Sequence, residues 1–505
     1  MSKFYVTTPL YYVNDEPHIG HAYTTILADV LAKYHRILGD DVFFLTGTDE
    51  HGQKVQEAAK RRGIEPKAHV DEYVERFKDL WNKLHIQHDD FIRTTQSRHT
   101  DRVKELLTSL YKRGEIYTAE YEGLYSVSEE RFITEKEQEE GNFREIKKLN
   151  ERNYFFKMSN YQDALIKHIH ENPDFIKPET RKNEILGFLR KDLNDLCISR
   201  PKSRLSWGIE IPFDTDYVTY VWFDALMNYI TAIGWGSDDE KFNFWWPANY
   251  HLIGKDILTT HAVYWSTMLL AAGIPLPKTI LAHGWWLSDD TKMSKSLGNV
   301  VKPLDLIDEY GADPVRYFLM RDMVLGSDAN FYMDAFIKRY NADLANDYGN
   351  LVNRVTMLIH KNFESKVPKS GEFDEIDLDL ISIANITPKK VQGNIDDLKL
   401  HDALENTLVM IREVNKYLEK RAPWKLIKED NSQGSVAATT LAVAIDVLRI
   451  GSQLLNPVMP ERTNVILTIL GAHEIPLKNT NVGELKAGTQ LGEGKSPFPR
   501  IDTKE

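Results

Sequence analysis

Residues 18–21 read His-Ile-Gly-His, a set of side chains suited to holding phosphate. The chain before them, "KFYVTT", is β-branched and aromatic, and from Ala22 onward apolar residues recur at helical spacing, Ile26, Val30 and Leu31 among them. His18, Gly20 and His21 are therefore expected at a helix start. Unpaired backbone N–H groups and the positive end of the dipole favour an anion there, glycine permits close approach, and imidazoles add donors. The same histidines could equally satisfy local backbone groups, so the motif needs a partner. One is offered by "KMSKSLGNV", residues 292–300. Lys292 and Lys295, each followed within two residues by a serine and then by Gly298, form a cationic loop able to close over a triphosphate as charge moves to leaving pyrophosphate. Alone, such a loop is ordinary solvated surface; together the two motifs point to chemistry on a nucleoside triphosphate.

The elements that must position these residues follow from pattern. "KFYVTT", the helix after His21, "DVFFLTGTDE" and a helical run from Gln53 to Arg62 alternate as βαβ units, which predicts a parallel sheet with ligand sites at the carboxyl ends of its strands. Further helices are expected at residues 66–84 and 100–113, completing the first half of a parallel-sheet domain over 1–114. From Glu115 the texture becomes aromatic and glycine-punctuated, and 115–212 reads as an insertion. The sheet pattern returns over 213–290 in "YVTYVWFDAL", "NYHLIGKDIL" and "KTILAHGWWL". Residues 291–339 carry the lysine loop and a link. Over 340–479 three amphipathic helices predict an all-α bundle, with Leu351, Val355, Leu358 and Ile359 marking one apolar face. The tail, 480–505, is expected to pack back on the body or fray.

Composition narrows the function. With 505 residues, 42% hydrophobic, the chain should be a soluble multidomain protein. "MSKFYV" enters a strand at once, without the pattern of a signal peptide, and the most apolar region is broken by Pro275, Pro277, Lys278 and His283; both favour a cytosolic location and no membrane. The single cysteine, Cys197, excludes an intramolecular disulfide and a cysteine-rich zinc site. A formal charge of −12 argues against nonspecific nucleic-acid binding, so any such contact must be local.

HIGH at 18–21 and KMSKS at 292–296 resemble the paired signatures of class I aminoacyl-tRNA synthetases. "TTPLYYVND", "TGTDEHG", "YVWFDALMNY", "HLIGKDI", "AHGWWL" and "RAPWKL" stand in the order and spacing of the methionyl-tRNA synthetase family, in a form lacking the zinc-binding cysteines. The resemblance covers nearly the whole chain. It implies a Rossmann-like catalytic sheet split by a connective insertion, an anticodon-binding helical bundle, and adenylation of L-methionine by ATP with Mg²⁺ before transfer to tRNA(Met), initiator tRNA included. It implies catalytic roles for His18, His21, Lys292 and Lys295, and ATP contacts at these four residues and at Gly20, Gly254 and Asp256. It places Leu10, Tyr12, Trp222, Ala225, Tyr229, Ile257 and His261 around methionine, with Asp49 on its ammonium. Asn350, Arg354 and Trp424 would read the anticodon. The residues themselves leave other readings open: Lys255 and Asp256 as an exposed turn pair, the rings of "YVWFDAL" as strand core, Trp424 as filler between helices.

The insertion reads "EGLYSVSEERF", with Ser126 and Ser128 where zinc-binding relatives carry cysteines, so no structural zinc is expected and Tyr121, Tyr125 and Phe132 are expected to hold it by packing. A monomer is expected. A small-molecule nucleotidyltransferase would have no use for the helical region, and a noncatalytic tRNA-binding relative should have lost HIGH or KMSKS.

Overall fold

The computed structural model describes residues 2–126, 131–133, 138, 146–288, 291–292 and 301–502. Its apolar N-terminal runs pair into a parallel sheet as expected. Strand Lys3–Thr7 lies between Asp41–Asp49 and Tyr250–Gly254, and the latter pairs with Thr279–His283. Tyr11–Tyr12 and Asp90–Arg93 add to Asp41–Asp49, and Ile176–Lys177, from within the insertion, closes the other edge beside Thr279–His283. Phe4, Tyr5, Val6, Phe44, Leu45, Leu252, Ile253, Ile280 and Leu281 are all buried, as both faces of a parallel sheet must be.

The chain forms two compact units. One comprises residues up to Pro17, Asp41–Asp79 and Gln87–His283; the other comprises His18–Asp40, Leu80–Ile86 and Gly284 onward. The first unit holds the parallel sheet and the insertion. Within the insertion Ile116–Ser126 pairs antiparallel with Ile146–Phe156. Tyr111 stacks on Phe213 at 4.0 Å, and Tyr154 meets Phe213 and Tyr217 edge-on at 5.2 and 5.5 Å. The side chains of Tyr121, Tyr125 and Phe132 lie outside the described residues.

"YVTYVWFDAL" departs from expectation. Asp214–Thr219 is a strand, but it pairs antiparallel with Ser199–Pro201 and Glu210–Ile211, and Val221–Ala225 is a short helix. β-branched and aromatic composition does not separate a strand from a buried turn of helix.

The second unit contains the helix Ile19–Leu38 and the C-terminal helices. The expected bundle helices appear at Asn350–Asn362, Leu400–Arg421 and Val436–Leu455. The last is long and apolar enough to cross a membrane, yet it is buried within the protein. A further bundle helix, Glu375–Asp396, has no counterpart in the pattern reading because it carries Pro388 in its interior, ordinarily a breaker. The described tail packs back rather than fraying. Arg449 donates to the carbonyls of Asn479 and Asn481 at 2.6 Å each, and Leu491 and Phe498 are buried.

Candidate active site

His18 is the N-cap of the helix Ile19–Leu38. Its Nδ1 accepts from the Gly20 amide at 3.1 Å, and His21 Nδ1 accepts from the His18 amide at 3.3 Å, a reciprocal capping box. The rings stack with centroids 3.7 Å apart. Local capping is thus realised, and it does not exclude phosphate binding: an Nδ1 that accepts leaves the ring proton on Nε2. Gly20 is needed for this, since a Cβ there would stand 2.9 Å from Cε1 of His18. Lys292 is described only as backbone of the short strand Thr291–Lys292, and Lys295 lies outside the described residues.

The first unit gathers the other candidates at strand ends. Parallel register sets Tyr12 opposite Asp49, whose side chain is buried at the end of Asp41–Asp49. Tyr12 meets Trp222 edge-on at 6.1 Å, and Trp222 meets His261 edge-on at the same separation. Tyr229 donates its phenol proton to His261 Nε2 at 2.7 Å, while His261 Nδ1 donates to the Ile257 carbonyl at 2.9 Å. Burial pushes the His261 pKa down to about 4, so the ring is neutral. Behind it His251 stacks on Tyr229 at 4.1 Å and is also held neutral by burial. Leu10, Trp222 and Ile257 are half-buried on the same core, and Ala225 is buried beside Trp222 on its helix. An uncharged aromatic wall suits a polarizable thioether, and a buried carboxylate suits an ammonium.

Gly254 ends its strand and Asp256 follows in a 3₁₀ turn. A Cβ on residue 254 would lie 2.5 Å from Asp256 Oδ1, so the glycine makes room for that carboxylate at the strand end. Asp256 is exposed, which satisfies the turn reading and leaves it accessible to a ribose.

Residues 4–142 and 140–356 match the family described as class I tRNA synthetases (M), and 367–505 match the anticodon binding domain of methionyl tRNA ligase. The methionine–tRNA ligase of Clostridium acetobutylicum is 46% identical over 507 residues, covering 99% of this chain and 78% of that protein. That of Caldanaerobacter subterraneus subsp. tengcongensis is 44% identical, over 99% of this chain and 79% of the relative. Mycobacterium tuberculosis methionyl-tRNA synthetase in complex with methionyl-adenylate superposes with a TM-score of 0.95 at 42% identity, covering 99% of this chain and all of that one. The chain belongs to the methionyl-tRNA synthetase family.

The anticodon candidates of this family lie in the second unit. Asn350 and Arg354 share one face of the helix Asn350–Asn362. Arg354 donates to Asn415 on Leu400–Arg421, rather than capping a carboxylate, and Asn415 donates to Glu419 at 3.0 Å. Ala422, with φ of +45°, turns the chain between helices, and Pro423 starts the helix that carries Trp424. Trp424 is 37% exposed, so part of its ring faces solvent.

Sequence reasoning missed a buried group beside the pocket. His51 Nδ1 donates to Asp224 Oδ2, and His99 Nε2 donates to Asp224 Oδ1, both at 2.7 Å. Burial alone would raise the Asp224 pKa, but the charge and hydrogen bonds of His51 and His99 outweigh it and hold the carboxyl below its ordinary range. Next to His51, buried Glu50 takes a bidentate pair from Arg93 at 2.5 and 3.0 Å. His51 and Asp224 sit inside "TGTDEHG" and "YVWFDAL", but only the fold joins them.

Proposed function

We propose that the chain activates L-methionine with ATP at the Tyr12–Asp49 strand ends and passes the methionyl group to the 3′ end of tRNA(Met), initiator tRNA included. The observation that carries the reading is the register setting a buried carboxylate, Asp49, opposite Tyr12, the first ring of a pocket whose histidine is neutral.

The methionine carboxylate is already ionised and attacks the α-phosphorus of ATP; pyrophosphate leaves, and the step needs positioning and charge stabilisation rather than a covalent enzyme intermediate. Asp49 accepts from the ammonium, and Leu10, Tyr12, Trp222, Ala225, Tyr229, Ile257 and His261 enclose the side chain. His18 and His21 donate Nε2–H to phosphate oxygens, Gly20 and Gly254 admit the nucleotide, and Asp256 accepts from its ribose. Lys292 and Lys295 follow the leaving pyrophosphate. Magnesium arrives as part of the ATP substrate; among the described residues no cluster of three His, Cys, Asp or Glu side chains suits a metal. Asn350, Arg354 and Trp424 read the anticodon, and the enzyme works in the cytosol as a monomer.

Methionine-dependent exchange of labelled pyrophosphate into ATP tests this, run beside leucine, isoleucine, valine, cysteine and homocysteine. Strong exchange with methionine is expected. An apolar wall discriminates by only about 1 to 3 kcal/mol per methylene, so homocysteine should be the leading competitor. Absence of exchange with every amino acid would overturn the reading.

A further inference from the structure

The histidines packed around the methionine pocket differ in one respect. His261, His251 and His99 have both ring nitrogens engaged: His261 with Ile257 and Tyr229, His251 with Thr7 and Trp265, His99 with Asp224 and Thr231. His51 has only Nδ1 engaged, with Asp224. Its side chain is 8% exposed, and Nε2 has no partner among the described residues. Trp207 covers the ring at 5.5 Å between centroids and is itself tied down by its indole N–H to the Glu50 carbonyl at 2.5 Å.

The dyad fixes a tautomer. Asp224 is an acceptor, so Nδ1 of His51 carries a proton, and in the neutral ring Nε2 presents a lone pair. Asp224 also stabilises the imidazolium that forms when Nε2 gains a proton, the role a buried carboxylate plays behind a general-base histidine. Among the described residues His51 is bonded to Asp224, which also takes His99, and its chain neighbours Asp49 and Glu50 are acidic, Glu50 being paired with Arg93. His51 lies two residues past Asp49 and is bonded to the residue that precedes Ala225, which places it next to the strand ends of the proposed methionine site.

We propose that His51 is a catalytic residue of the transfer step, accepting the proton of the terminal ribose hydroxyl of tRNA. The hydroxyl oxygen forms a bond to the methionyl carbonyl carbon, the bond from that carbon to the phosphate oxygen breaks, and AMP leaves with the electron pair. The ribose proton passes to His51 Nε2 and from there to water. Adenylate formation moves no such proton, so the two steps should depend on His51 differently. The inference rests on the proposed methionine site, and the test separates the two.

Enzyme carrying preformed methionyl-adenylate is mixed with tRNA(Met) in a single-turnover experiment across a range of pH, with pyrophosphate exchange measured on the same preparations. For His51→Gln and His51→Ala, transfer is expected to fall by about 100-fold or more, while exchange stays within several-fold of the parent and vouches for folding. A proportionate fall of both steps in both variants would make His51 structural and overturn the proposal, as would unchanged transfer. Loss of methionine-dependent exchange in the parent would instead sink the proposed site.

Discussion

Tyr229 and His261 share a 2.7 Å hydrogen bond in which the phenol donates, because His261 spends its own N–H on the Ile257 carbonyl. Tyr229 is in turn fixed by the Tyr5 hydroxyl, which donates to its carbonyl at 2.7 Å, and by the His251 ring stacked on it. The wall of the pocket is therefore a chain of satisfied polar atoms with an uncharged surface. Tyr229→Phe would strip a buried acceptor of its donor, at a cost of about 1 to 3 kcal/mol. The KM for methionine in pyrophosphate exchange should rise by roughly 5- to 150-fold, with kcat changed far less. An unaltered KM would place the pair outside the pocket.

Neutral His261 also has a consequence for pH. Its pKa is about 4 in the fold, against an ordinary value of 6.5. As pH falls below 6.5 the unfolded chain takes up this proton before the native state does, so stability contributed by the neutral ring is full above about 6.5 and is lost progressively towards about 4. His251 is shifted in the same direction by burial and adds to the slope. Urea midpoints measured between pH 7.5 and pH 4.5 should decline, and His261→Asn should flatten the decline.

How far the sequence disclosed this arrangement depends on the range of the interactions involved. The helix start at His18 was legible because cap, glycine and apolar period lie within a dozen residues. The sheet was legible from alternating patterns. Asp224 was not, since its partners His51 and His99 lie 173 and 125 positions away. The helix Glu375–Asp396 was hidden by Pro388, which tertiary packing of Leu380, Ala384 and Val391 overrides.

Gly20→Ala should act through His18. The added methyl would meet the His18 ring at 2.9 to 3.1 Å and push it off its cap, removing an N-cap bond worth about 1 kcal/mol and misdirecting the Nε2 donor. Adenylate formation should slow, while tRNA binding measured by filter retention should stay near that of the parent. Equal exchange rates for parent and variant would show that the His18 cap geometry does not matter to the phosphates.

Trp424→Ala tests anticodon reading, because the ring is exposed enough for its removal to leave the bundle intact. Loss of one stacked base is worth about 1 to 3 kcal/mol. The KM for tRNA in charging should rise accordingly, while pyrophosphate exchange remains near the parent value. Should both activities fall together, Trp424 would be a packing residue after all.

Arg316 and Asp29 set the stability of the helix that His18 caps. Fully buried, Arg316 donates to Asp29 at 2.6 Å, to the carbonyls of Val458 and Pro457 at 2.7 and 2.9 Å, and to that of Leu84 at 2.9 Å. Lys33 also bonds Asp29, with its pKa lowered to about 8 by burial and then by Arg316. Arg316→Met should lower stability by about 3 kcal/mol, near the low end for a broken buried pair, since Lys33 still compensates Asp29. Asp29→Asn should do more harm, because it leaves two buried cations facing each other without an anion. Urea midpoints in the order parent, Arg316→Met, Asp29→Asn are expected at pH 7; the reverse order for the two variants would mean that the carbonyl contacts of Arg316, rather than the charge of Asp29, hold the helix.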